Sequence, residues 1–201
     1  NYCLYHLFYQ CTALTTAPEF PAMVLADSCY MSMFSGCSSL VQAPELPATT
    51  LADSCYKYMF DSCSSLTQAQ EVLPATTLAN SCYHSMFYMC SKLITAPELP
   101  ATALAMDCYN DMFRNCSSLV QAPELPATTL EINCYRTMVL GCSKLKTVKT
   151  AVVSWNTNHT LAWLASVASS GTVYCPSTST IPSNSTNGIP SGWTRVDWQP
   201  T

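Results

Sequence analysis

The sequence predicts an α/β solenoid of about six strand–helix units, closed by a small α+β C-terminal cap. The prediction rests on the cysteines, which number 13 in 201 residues and fall mostly in pairs eight residues apart. Successive pairs are 26 residues apart, with one interval of 27. The pairs are Cys3/Cys11, Cys29/Cys37, Cys55/Cys63, Cys82/Cys90, Cys108/Cys116 and Cys134/Cys142. Such a period is typical of repeat proteins, in which each unit buries its apolar face only against its neighbours.

The first half of each unit predicts a short helix. Apolar residues of the third unit alternate between spacings of one and three, which is typical of one face of a 3.6-residue helix. They are Leu51, Ala52, Cys55, Tyr56, Met59, Phe60 and Cys63. Thr49, Thr50 or Asp53 can cap the start of this helix.

The second half of each unit predicts a short extended segment. In the third unit this segment is Leu66–Ala69, and in most units a Pro follows it directly. Proline has no N–H to give to a β-ladder, so each strand must be short. A strand and a helix in 26 residues predict a leucine-rich-repeat-like right-handed coil over residues 1–150.

Residues 151–201 depart from the repeat and are predicted to form the capping segment. Residues 155–168 predict a helix, and two later segments, residues 171–176 and 193–198, predict the strands of a β-hairpin. All four Trp residues of the chain lie after residue 154. Bulky aromatic side chains suit a cap, because the last unit of a solenoid needs its core face covered.

The repeat resembles the signature of BspA-like leucine-rich repeat proteins. The resemblance lies in Met33-Phe34-Ser35-Gly36-Cys37-Ser38-Ser39-Leu40 and in the matching run from Met59 to Leu66, and it covers roughly residues 1–150. The Cys-Tyr dipeptides, such as Cys55-Tyr56, depart from the commoner members. The resemblance implies a bacterial cell-surface protein used for adhesion or ligand binding, with no catalytic residues to carry over.

The cysteines allow three interpretations. A disulfide within a pair is excluded if the helix is right, because eight residues of helix span about 12 Å and a disulfide needs Cα atoms within roughly 7 Å. Zinc is disfavoured by the wide spacing and by scarce, unpaired histidines. We therefore expect a ladder of buried free thiols facing turn carbonyls. Its members are Cys11, Cys37, Cys63, Cys90, Cys116 and Cys142.

Composition narrows the function classes. The chain has eight basic residues against twelve acidic ones and therefore lacks the basic surface that a nucleic-acid-binding protein needs. No apolar run is long enough to cross a membrane. No histidine recurs and the acidic residues follow the repeat, so we expect no enzyme, catalytic residue, metal or cofactor. We also expect a monomer.

Two sets of repeated residues are candidate binding surfaces. One is an acidic stripe for a cation or a basic partner, or else a solvated ridge; it comprises Glu19, Glu45, Glu71, Glu98 and Glu124. The other is a polar strip on the sheet face, which comprises Gln42, Gln68, Thr95 and Gln121. It either binds a protein or glycan or consists of residues present only for their β-propensity. Outward pairs such as Val41/Gln42 and Val120/Gln121 belong to the same strip.

The sequence therefore predicts an extracellular or cell-surface module that binds a protein or glycan on a host or neighbouring cell. Two alternatives remain open: a spacer or display arm of a larger surface or phage-like assembly, and, more remotely, a polysaccharide-active enzyme. Because the pattern is already under way at Asn1, we expect further repeats and a signal or anchor upstream.

Overall fold

A computed structural model describes residues 2–183 and 185–199, so the outermost predicted boundaries, residues 1 and 201, lie outside the described residues. Four strands form one sheet with the order β1-β2-β3-β4 and parallel neighbours throughout. The strands are β1 (Gln121–Leu125), β2 (Thr147–Thr150), β3 (Gly171–Cys175) and β4 (Trp193–Asp197). Before β1, neighbouring extended segments touch only through isolated parallel bridges, such as Gln42 with Gln68.

The predicted α/β solenoid of leucine-rich-repeat type is wrong. The described residues contain no α-helix, and their only named elements are four parallel strands of four or five residues. None of them forms a helix long and apolar enough to span a membrane.

Consecutive turns occupy the segments predicted as helices. In the second repeat, the N–H of Met33 donates to the carbonyl of Tyr30 within one turn. The N–H groups between such bonds point to the next repeat, as in Ser32 to Lys57 (2.8 Å) and Phe34 to Met59 (2.9 Å). About half of the backbone N–H groups in these turn segments therefore bond to a neighbouring repeat. An α-helix cannot do this, because its N–H groups bond within the helix.

A spacing of four residues, rather than 3.6, explains the turns. The apolar pairs 51/52, 55/56 and 59/60 recur every four residues, and a helix would carry them gradually around its surface. The residue before the second and the third pair is in the left-handed region, at Ser54 (φ 57°) and Tyr58 (φ 56°), as are the equivalent residues of the other repeats. Ser, Asp, Asn and Gly fill most of these positions, and Asn, Asp and Gly tolerate positive φ best.

The core is built from identical side chains in successive repeats. Tyr30, Tyr56, Tyr83, Tyr109 and Tyr135 stack with ring centroids 5.8–6.1 Å apart. A second series stacks at 5.2–5.6 Å and consists of Phe8, Phe34, Phe60, Phe87 and Phe113. Cys, Met and Leu side chains belong to the same core and are almost fully buried. Offset aromatic pairs at these separations add to the stabilisation from burial.

The C-terminal segment covers this core, but not with the predicted helix and hairpin. Turns replace the helix over residues 155–168, and β3 and β4 are parallel, whereas a hairpin requires antiparallel strands. Trp163 is buried, and its indole N–H donates to the carbonyl of Gly188 at 2.8 Å. The N–H of Val139 donates to the carbonyl of Trp163. The cap thus continues the hydrogen bonding between repeats.

Candidate functional site

The predicted polar strip lies along the exposed face of the extended segments. Its four residues, Gln42, Gln68, Thr95 and Gln121, are all exposed. Parallel bridges join Gln42 to Gln68 and Gln68 to Thr95, so these three side chains lie side by side. Gln121 instead pairs with Thr147 on its other side, at the start of the continuous sheet.

The acidic stripe is less regular than the sequence suggested. All five residues, Glu19, Glu45, Glu71, Glu98 and Glu124, are exposed. However, the bridge partner of Glu98 is Val72 rather than Glu71. The extra residue in this repeat shifts Glu71 by one position, and the buried amide of Gln70 fills the space by donating to the carbonyls of Leu46 and Val72.

Lys149 ends the stripe on the sheet side. It is the bridge partner of Glu124, and its ammonium lies 4.0 Å from the carboxylate. Both side chains are more than one-third exposed, so the pair adds little to stability. Glu98 has no cationic partner within salt-bridge distance among residues 2–183 and 185–199. The five carboxylates therefore do not form one continuous row, and of its last two members Glu124 faces a cation and Glu98 does not.

A groove of about 730 Å³ combines the polar strip and the acidic stripe. It lies between residues 94–100 and residues 120–126, with exposed Ile94 and Val120 toward one end and Glu98 and Glu124 toward the other. Thr95 and Gln121 lie between these ends. A smaller groove of about 370 Å³ repeats the arrangement between residues 15–17 and 41–45.

Backbone pairing is interrupted where the large groove lies. At several equivalent junctions the N–H donates to the preceding segment, as in Ile94 to Thr67 (3.2 Å) and Lys146 to Val120 (2.8 Å), but the N–H of Val41, beside the smaller groove, makes no such bond within the described residues. At Val120 the equivalent bond to Ile94 is missing, and no bridge or backbone hydrogen bond joins residues 94–100 to 120–126. The groove is thus an opened seam between two segments that would otherwise pair.

The residues of this face were predictable from the sequence, but the opened seam was not. Loss of pairing between two repeats with nearly identical sequences leaves little local signal. The exposed aliphatic residues at 41, 94 and 120 were the available sign, because Thr occupies the same position at 15 and 67.

The predicted thiol ladder lies in the core, away from the groove. Five of its members donate to the carbonyl of a Phe in the preceding repeat at 3.0–3.1 Å: Cys37, Cys63, Cys90, Cys116 and Cys142. The sixth, Cys11, is exposed. Burial raises the pKa of the Cys142 thiol to about 12, and the backbone hydrogen bond opposes this only in part. Such thiols stay protonated at neutral pH and are poor nucleophiles.

No protein-family model matches this sequence, and no curated protein matches it significantly.

Proposed function

We propose that this chain is a non-enzymatic binding module that seats part of a partner molecule in the groove between residues 94–100 and 120–126. The observation that supports it is the opened seam, where the groove coincides with the lost pairing between Ile94 and Val120. Exposed aliphatic side chains beside a few polar groups are typical of ligand sites. The partner is a protein or a glycan presented at a surface.

The groove favours binding over catalysis. It is lined by Ala, Pro, Ile, Val, Leu, Thr, Gln and two Glu, and these described lining residues include no His, Cys or Lys to serve as base or nucleophile. One of its two carboxylates, that of Glu124, already faces Lys149.

An extracellular or cell-surface location is part of the proposal and is supported by the resemblance of residues 1–150 to BspA-like proteins. A reducing niche would suit the buried free thiols.

A binding screen with one matched pair of variants tests the proposal. The folded chain is immobilised and exposed to a glycan array and to a panel of extracellular matrix proteins. Val120→Arg places a long charged side chain in the groove, and we expect it to weaken binding at least about tenfold. Ile132→Arg is the control, because Ile132 is similarly exposed (54% against 47%) but lies outside the groove.

Each result of the screen has a clear meaning. Binding that Val120→Arg abolishes and Ile132→Arg preserves supports the module. Absence of binding to any partner by the folded chain favours the spacer or display arm. Hydrolysis of an arrayed glycan would contradict the proposal in favour of an enzyme.

A further inference from the structure

We infer that the occupant of the large groove is an extended peptide that carries a Lys or Arg side chain about four residues from an aliphatic one. The inference rests on the proposed binding function and specifies its partner. It uses three features of the groove: an unpaired backbone donor, a separated aliphatic and acidic end, and the lack of aromatic rings.

The backbone donor is the N–H of Val120. Val120 lines the groove, and its N–H makes no hydrogen bond within the described residues. The next extended segment has no such vacancy, because the N–H of Lys146 bonds to Val120 and that of Thr172 bonds to Lys146. An extended peptide presents a carbonyl at every residue and can satisfy this donor, as peptides do when they pair with exposed strands.

The two ends of the groove specify the side chains. Ile94 and Val120 are 57% and 47% exposed, which leaves an aliphatic surface for an apolar residue. Glu98 lies four residues beyond Ile94, or about 13 Å along an extended chain. A peptide running beside this segment would bring residues four apart to the two ends, with its cation at the carboxylate of Glu98.

Charge complementarity favours a cation at the acidic end. Glu98 has no cationic partner in the described part of the chain, and Glu124 has only Lys149, at 4.0 Å. A basic side chain between the two carboxylates is attracted electrostatically by both. Because none of the described residues that line the groove is aromatic, it lacks the flat surface on which sugar rings commonly pack. A peptide therefore fits it better than a glycan.

The experiment selects peptides from a phage library of random dodecapeptides on the immobilised full chain. Phage that also bind the Val120→Arg variant are removed. We expect the survivors to be enriched in Lys or Arg about four positions from an aliphatic residue. A synthetic peptide of the enriched sequence should bind the Glu98→Lys variant about tenfold more weakly. The Glu131→Lys variant is the matched control, because Glu131 is exposed and lies outside the groove.

The outcomes separate the inference from the proposed function. Basic peptides sensitive to Glu98→Lys but not to Glu131→Lys support the inference. Peptides that bind at the groove but carry no basic residue overturn the inference and leave the proposed binding function intact. A glycan whose binding depends on Val120, with no peptide enriched, has the same two consequences. If neither peptides nor glycans bind at the groove, both proposals fail.

Discussion

The thiol of Cys63 donates a hydrogen bond to the backbone carbonyl of Phe34, 3.1 Å away in the preceding repeat. Both residues are completely buried, so no water reaches this carbonyl, which also accepts a hydrogen bond from the N–H of Cys37 at 3.0 Å. The same bond recurs at four other junctions between repeats. The repeated cysteine is thus both a small apolar side chain and a weak donor that links neighbouring repeats.

Replacing this thiol should destabilise the fold. Cys63→Ala removes a buried sulfur atom and one of the two donors to the Phe34 carbonyl, so we expect a loss of about 1–3 kcal/mol in the free energy of unfolding, most of it from the cavity. Urea denaturation followed by tyrosine fluorescence measures this loss. Cys3→Ala is the control, because Cys3 is exposed and should change stability by less than about 0.5 kcal/mol. Equal effects of the two substitutions would contradict the bond's role.

Thiol reactivity should divide the cysteines into two groups. Cys3 and Cys11 are exposed, whereas the other eleven are buried. Burial raises the pKa of thiols such as Cys55 and lowers the fraction of reactive thiolate. With an aromatic disulfide reagent at neutral pH and without reductant, we expect two fast equivalents from the native chain and thirteen from the denatured chain. Fewer than thirteen after denaturation would reveal disulfides and contradict the free-thiol structure.

The repeat was visible in the sequence, but its local conformation was not inferred correctly. The cysteine spacing correctly indicated which residues are buried. Cys55, Tyr56, Met59 and Phe60, for example, are all buried. The same spacing is close to that of one helical face over three turns, so hydrophobicity alone favoured a helix. The distinguishing signal was the column of Ser, Asp, Asn and Gly every fourth residue, which marks positions of positive φ.

The candidate site was predictable from the sequence only in part. Residues of the polar strip are exposed as a strand pattern would place them, but their neighbours depend on hydrogen bonds between repeats. The extra residue near Gln70 moved Val72 into line with Glu98. The missing bond between Ile94 and Val120 depends on how whole repeats pack, and neither residue type specifies it.

Stability should fall in alkali. Burial raises the pKa of Cys55 and Cys134 from an ordinary value of 9.0 to about 12. Between pH 9 and 12 the unfolded thiols lose protons while the folded ones keep them, so rising pH favours unfolding. Each such thiol costs about 1.4 kcal/mol per pH unit within this window.

Urea midpoints measured from pH 7 to 10.5 test this effect. We expect a plateau up to about pH 8.5 and a decline above it as the unfolded thiols ionise, and the decline should steepen toward pH 10 because the buried tyrosines, such as Tyr83, also have raised pKa values. A flat profile through pH 10.5 would show that these groups titrate alike in the folded and unfolded chain.

Substitutions at the positive-φ positions distinguish turns from helices. Ser54 has a φ of 57°, so Ser54→Gly should leave stability unchanged or raise it by up to about 1 kcal/mol, since glycine adopts this conformation without strain. In a helix the same change would be destabilising. Gly141→Ala should cost about 1–3 kcal/mol, because Gly141 has a φ of 77° and an added Cβ would meet the side-chain oxygen of Asn115. Urea midpoints of both variants give the signs, and a stabilising Gly141→Ala with a destabilising Ser54→Gly would show that these segments are helical after all.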